Sequence, residues 1–247
     1  MNSKHMRIVS SSLLALLVGV AASAAVAGPK PLPVNSNAFG QGYDELAAGW
    51  TEWVTAIPNA TNPLFDDTGA YAAIGQSGKV WFLVGTSDSG TATRAVTVPT
   101  GTALFFPIVN FFWVNTPETG DAPWSPAQEA YARGVLAYFI DTAWNLVLEI
   151  DGVPYSKVDT LRVASAVGIC TPPPAAEDNI FGVKLIAGPH ECVADGYWVL
   201  LPPLSVGEHT IRFAGEILAA DFSLDVTYHV TVRPRQKVGA SVMKLHP

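Results

Sequence analysis

The clearest pattern in this sequence is an alternation of apolar and polar residues near its carboxyl end. From Phe222 to Val232 every second residue is apolar and the residues between them are polar. Because successive side chains of a β-strand point to opposite faces, this period predicts a strand with one buried and one solvated face. Tyr228 belongs to the buried side, and we expect His229 to be exposed.

Two further regions have the pattern of paired strands. In residues 194–216, ADGYWVLLPPLSVGEHTIRFAGE, two apolar runs flank a Pro-Pro turn and predict a β-hairpin, with His209 as a structural residue that bonds a turn carbonyl. Residues 95–98 and 103–109 flank a Pro/Gly turn and predict a second hairpin. Pro107 lies inside its second arm, which indicates a bulge or an edge position.

Two segments have helical periodicity instead. Apolar residues recur at helical spacing near residues 40–57, and the stripe includes Trp50 and Trp53, which favours a core position over an exposed sugar platform. Ser125 begins a typical helix N-terminus and predicts a second helix near residues 126–143. The whole pattern predicts a mainly β fold: an antiparallel β-sandwich, Ig-like or jelly-roll-like, with an N-terminal helix and one inserted helix.

Residues 1–27 have the organisation of a signal peptide. Lys4 and Arg7 precede an apolar stretch, and Ala25-Val26-Ala27 offers a cleavage site after Ala27. An uncleaved anchor is the alternative, and the shortness of the apolar stretch argues against it. We therefore expect a secreted or periplasmic protein, with a Pro-rich linker at 28–38 and a single β-sandwich domain at 39–247.

Charge and cysteine content bear on the partners. The formal net charge is −7, which argues against nucleic acid, because that partner needs clustered Lys and Arg. Cys170 and Cys192 are the only cysteines, and an oxidising compartment predicts a disulfide between them. A metal site at His190, Glu191 and Cys192 is the alternative, but adjacent residues of an extended chain point in opposite directions. We assign no metal, no cofactor and no membrane span after signal cleavage.

A set of short motifs resembles a group of bacterial exported proteins of unknown function. The motifs are GQSGKVWFL at 75–83, VPTGTALFFPI at 98–108, ADGYW at 194–198 and GEHTI at 207–211. The resemblance covers most of the chain after residue 27 and implies secretion and a sandwich-like domain, but no activity. Such proteins often carry a cysteine pair near the positions of Ala72 and Val96, so the disulfide expected here is a different one.

No stretch of the sequence forms a catalytic motif. Residues 75–79 lack the final glycine of the G-x-S-x-G nucleophile elbow. We predict a binding or structural module whose partner is a glycan or another exported protein, and the alternative is an extracellular polymer hydrolase that uses loop carboxylates and a histidine. The candidate binding residues are loop aromatic and ionisable groups: Trp113, Trp124, Trp144, Asp66, Asp67, Asp195 and His190.

Overall fold

The computed structural model describes residues 28–234, so the predicted signal peptide lies outside the described residues. These residues form two α-helices and ten β-strands. The elements are α1 (Tyr43–Ala56), β1 (Val80–Phe82), β2 (Gly90–Pro99), β3 (Ala103–Val114), α2 (Pro126–Ile140), β4 (Ala143–Ile150), β5 (Val153–Pro154), β6 (Arg162–Ala164), β7 (Gly168–Cys170), β8 (His190–Leu201), β9 (Gly207–Ile217) and β10 (Phe222–Arg233).

The strands form two five-stranded sheets. The first sheet has the order β1-β3-β8-β6, with β7 also paired to β8, and the second has the order β2-β10-β9-β4-β5. β1 runs parallel to β3, and β2 runs parallel to β10, whereas the other pairs are antiparallel. The mainly β prediction is confirmed, but the predicted antiparallel arrangement is wrong because both sheets are mixed.

Both predicted hairpins are also wrong, although their strands exist. β2 lies in the second sheet and β3 in the first, and β8 and β9 are divided in the same way. The two arms bury their apolar faces in one core from opposite sides. Each turn therefore crosses from one sheet to the other instead of joining neighbours within a sheet.

The two sheets share one hydrophobic core, and α1 covers the opposite face of the first sheet. Between the sheets, the rings of Phe106 and Phe213 lie 5.0 Å apart. On the other face, the rings of Trp50 and Trp198 lie 5.5 Å apart, and the Trp50 indole donates to the Leu83 carbonyl. Alternate residues of β3 and β8 thus face different partners, which confirms the core position predicted for Trp50.

The remaining segments pack closely around the sheets. The Ser125 hydroxyl caps α2 by accepting from the Gln128 amide, as predicted. The helix ends at Ile140, a few residues before the predicted end near residue 143, and β4 begins at Ala143. Residues 28–38 form an arm in which the Leu32 amide donates to the Leu200 carbonyl at 2.9 Å. No helix among residues 28–234 is long and apolar enough to span a membrane.

A buried arginine joins the two sheets. Arg94 of β2 is 1% exposed, and its guanidinium donates to the carbonyls of Asp66, Val84 and Gly85 and to the Tyr228 hydroxyl. Within the described chain it forms no ion pair with a carboxylate. The Tyr228 hydroxyl also bonds the Val84 amide and carbonyl. These bonds fix the segment in which the chain passes from the first sheet to the second.

Arg94→Met should lower the free energy of unfolding by about 3 kcal/mol, because it leaves several buried acceptors without a donor. Urea unfolding monitored by tryptophan fluorescence measures this. Arg212→Met is the matched control, since Arg212 pairs with carboxylates on the solvated face of the second sheet and should cost under about 1 kcal/mol. Equal losses for the two variants would contradict the role given to Arg94.

Candidate functional site

A groove opens where β1 and β3 separate. β1 pairs with β3 only as far as Phe105, and the Leu83 amide makes the last bond to the Phe105 carbonyl. At Val84 the chain turns away toward Arg94, whereas β3 continues to Val114. The cavity between them has a volume of about 420 Å³. We call it the edge groove; residues 85–88 lie on one side, β3 residues between Pro107 and Phe112 on the other, and Phe65 and Phe181 complete its walls.

The β3 edge that borders this groove has no strand partner among the described residues. The Asn115 amide donates to Glu191, at the start of β8. Because amides of successive strand residues alternate in direction, the amides of Asn110 and Phe112 point away from β8 and toward the groove. The groove therefore presents unpaired main-chain groups at every second residue.

Within residues 28–234, two buried side-chain polar atoms at the groove also have no hydrogen-bond partner. They are the amide nitrogen of Asn110 and the hydroxyl of Thr86. A buried polar group without a hydrogen bond costs about 1–3 kcal/mol, and groups of this kind are rare in native structures. A ligand that supplies the missing bonds would recover this energy.

The disulfide loop forms a preorganised wall of the groove. The predicted bond between Cys170 and Cys192 is confirmed. Within the loop, the fully buried Asn179 side chain lies within 2.8–3.1 Å of three loop carbonyl oxygens and accepts from the Phe181 amide at 3.0 Å. Phe181 is therefore held in position on the groove before any ligand arrives.

His190 ties the base of this loop to the segment after β3. Its ring nitrogens lie 2.9 Å from the Asn115 carbonyl oxygen and 3.0 Å from the Ile186 carbonyl oxygen. The Glu118 carboxylate lies 3.8 Å from the ring and accepts from the Ile186 amide. Desolvation raises the pKa of Glu118, but the amide bonds and the nearby His190 outweigh it and hold that pKa below its ordinary value. His190 does not line the edge groove.

None of the three candidate aspartates lines the groove, and Asp195, on β8, is separate from the adjacent pair Asp66 and Asp67. The buried Asp66 carboxylate accepts from the Thr68 and Tyr71 amides, and Asp67 beside it is exposed. Desolvation raises the pKa of Asp66, but these bonds outweigh it and lower that pKa below the ordinary value. Asp195 is 7% exposed and pairs through both oxygens with Arg162, at 2.8 and 3.3 Å.

The three candidate tryptophans also lie outside the groove. Trp113 and Trp124 pack in one small cluster with α2, where the Trp113 ring meets Tyr131 edge to face. Trp144 is on β4 of the second sheet and is 62% exposed. The aromatic residues that do line the groove were not among the sequence candidates; they are Trp50, Phe65, Phe111, Phe112, Phe181 and Phe222. Pro107 was the sequence feature that could have indicated the groove, since it predicted a bulge or an edge position. The β3–β8 register shifts between Pro107 and Val109, and β1 pairs with β3 only up to Phe105.

His209 makes the turn contacts expected of it and one more. Its Nε2 lies 3.0 Å from the Ser205 carbonyl and 3.1 Å from the Ser205 hydroxyl, and its Nδ1 lies 2.8 Å from the Asp151 carboxylate. The order Ser–His–Asp is that of a catalytic relay. However, Nε2 lies as close to the Ser205 carbonyl oxygen as to the Ser205 hydroxyl, and all three partner atoms belong to the turns that flank β9 and β5. The arrangement locks the turn between β8 and β9.

Comparison with known proteins adds little. No protein-family model and no curated protein matches the sequence. Among solved structures, PbICP-C, studied in complex with falcipain-2, is 12% identical with a TM-score of 0.25, over 63% of this chain and all of that chain. Amebosin, solved in solution, is 13% identical with a TM-score of 0.21, over 64% of this chain and all of that chain. Likenesses of this size support no argument on fold or function.

His209→Gln should lower the free energy of unfolding by about 1 kcal/mol, because a glutamine imperfectly replaces the contacts of the ring with Ser205 and Asp151. Thermal unfolding followed by circular dichroism measures this. His229→Gln, on the exposed side of β10, is the control and should have no effect. If an activity is found and His209→Gln abolishes it at an unchanged melting temperature, the turn is a catalytic site and not a lock.

Replacing both cysteines by serine should destabilise the protein by about 3 kcal/mol, because the unfolded chain loses a loop constraint. Urea unfolding of wild type and the double variant measures this difference. In unreduced, denatured wild-type protein, thiol titration should find no free thiol. Two free thiols would contradict the bond between Cys170 and Cys192.

Proposed function

We propose that this protein is an exported, non-catalytic binding module whose ligand occupies the edge groove. The observation that carries the proposal is an unpaired strand edge beside an aromatic cavity that contains two unsatisfied polar groups. A volume of about 420 Å³ lies within the range of ligand sites, which are mostly apolar with a few placed polar groups. Export is supported by the signal-like amino terminus and by the disulfide.

The ligand that suits this groove is extended, with apolar parts and main-chain-like polar groups. Phe65 is 49% exposed and offers apolar surface directly at the groove. Asn110 and Thr86 offer hydrogen bonds that nothing in the described chain satisfies. The packing of two sheets around one core supports assignment to the β-sandwiches, and Ig-like or jelly-roll-like connectivity stays a prediction.

The other functions considered have less support. A hydrolase needs two ionisable groups within reach of each other. Among residues 28–234, no hydrogen bond joins any two of Asp66, Asp67, Asp195, His190 and His209, and the ionisable partner of His209 is Asp151, outside the edge groove. A glycan site built on Trp113, Trp124 and Trp144 needs a shared surface, whereas Trp144 lies on a different sheet from Trp113. These observations favour binding at the edge groove.

Titration with the neutral dye N-phenyl-1-naphthylamine tests the groove, because its fluorescence rises in apolar sites. Phe65→Ala should weaken dye binding by about tenfold, since an aromatic contact worth about 1.5 kcal/mol or more is lost. Tyr71→Ala is the matched control: Tyr71 is 37% exposed, follows closely in the chain and does not line the groove. Absence of saturable binding, or equal effects of both variants, would overturn the proposed function.

A further inference from the structure

We infer that the ligand of the edge groove is an extended basic segment of polypeptide, which pairs with β3 as an added strand. This inference rests on the proposed function and names the chemical class of the ligand. Three features carry it: the spacing of the free main-chain groups, the charge at the groove, and the presence of both aromatic and acidic groups in its lining.

The free main-chain groups have the spacing of a β-ladder. Asn110 and Phe112 each direct an amide and a carbonyl away from β8, since both groups of one residue share a side of the strand. Such groups recur about every 7 Å along a strand. A second polypeptide backbone repeats its donors and acceptors at the same interval, whereas a sugar chain does not. Addition of a strand to an unpaired edge is a known mode of peptide recognition.

The edge of β3 beyond Phe105 has room for one added strand, because β1 pairs with β3 only up to that residue. β1 occupies the same edge through Phe105 and leaves it at Val84. An added segment would lie beside β3 as a continuation of β1, between residues 85–88 and the β3 residues after Pro107. Pro107 lacks an amide hydrogen, so the ladder would begin after it, at Asn110.

Charge at the groove selects a cationic segment. Among the described residues that line it, Asp88 is ionisable and none is Lys or Arg; Arg94 bonds the Gly85 carbonyl but is itself buried behind this wall. Exposed carboxylates also occur close in sequence to lining residues: Asp221 directly precedes Phe222, and Asp178 lies two residues before Ile180. Lys or Arg on the ligand would meet this acidic border, and attraction across an exposed border mainly selects the partner.

The lining also predicts a ligand that carries both apolar and basic residues. The walls offer aromatic rings such as Phe65 and Phe181, and Asp88 offers a carboxylate. An alternating Val-Lys segment is a simple test ligand of this kind, because successive side chains of a strand point in opposite directions.

Isothermal titration with a blocked Val-Lys alternating peptide about eight residues long, a usual strand length, tests the inference. Two N-methylated versions carry methyl groups on alternate residues, in opposite phases. One phase should lose about tenfold or more in affinity, whereas the other should bind like the parent, because only every second amide faces β3. A Val-Glu peptide should also bind at least about tenfold more weakly than the Val-Lys peptide.

Protein variants test the site. Asp88→Asn should weaken binding of the Val-Lys peptide by about threefold or more and remove part of its salt dependence. Asp67→Asn, at an exposed carboxylate that does not line the groove, should leave affinity unchanged. The peptide should displace N-phenyl-1-naphthylamine from wild type.

The two proposals fail differently. If the dye binds in a Phe65-dependent manner but no peptide displaces it, or if both N-methylated phases bind equally, the peptide inference is overturned and the binding module stands. Displacement by neutral polysaccharides and not by the peptide has the same consequence. If the dye does not bind at all, the binding module itself is overturned.

Discussion

The buried guanidinium of Arg94 is the interaction on which the arrangement of this molecule depends. Carbonyl oxygens and a tyrosine hydroxyl, instead of a carboxylate, accept from its Nε and Nη1, and Nη2 has no partner among the described residues. A rigid planar group with five N–H donors can bond several main-chain acceptors at once. By binding Val84 and Gly85, it draws the chain away from β3. The same bonds that connect the two sheets therefore open the first sheet at its edge and create the groove.

Local pattern identified most of the elements but not their partners. The strict alternation in β10 and the capped start of α2 were sufficient to place both, because each depends on residues within a few positions. Pairing between β2 and β10 joins residues far apart in sequence. The residue pattern of either segment does not indicate which strand lies beside it. The Pro/Gly turns at 99–102 and 202–207 correctly indicate that the chain changes direction. The same turn residues occur in hairpins within one sheet and in connections between two sheets, so they do not distinguish these cases.

The candidate site was hidden from the sequence for a related reason. The groove gathers side chains from α1, the 3₁₀ turn near Phe65, residues 85–88, β3, the disulfide loop and β10. Its aromatic residues lie in segments whose apolar pattern indicates core. Conversely, the candidate carboxylates Asp66, in a turn, and Asp195, on β8, are occupied by turn amides and by Arg162. Polar residue types in loops were therefore a poor guide, and a proline inside a strand was the better one.

The recessed position of the β3 edge has a consequence for self-association. An open edge is a template on which other copies of a protein can align, and long flat edges lead to aggregation. Here the disulfide loop and residues 85–88 flank the edge, and Pro107 interrupts its row of donors. These walls restrict the approach of another sheet more than that of a single extended chain. The same recess that leaves a strand position vacant therefore makes this edge a poorer template for edge-to-edge association.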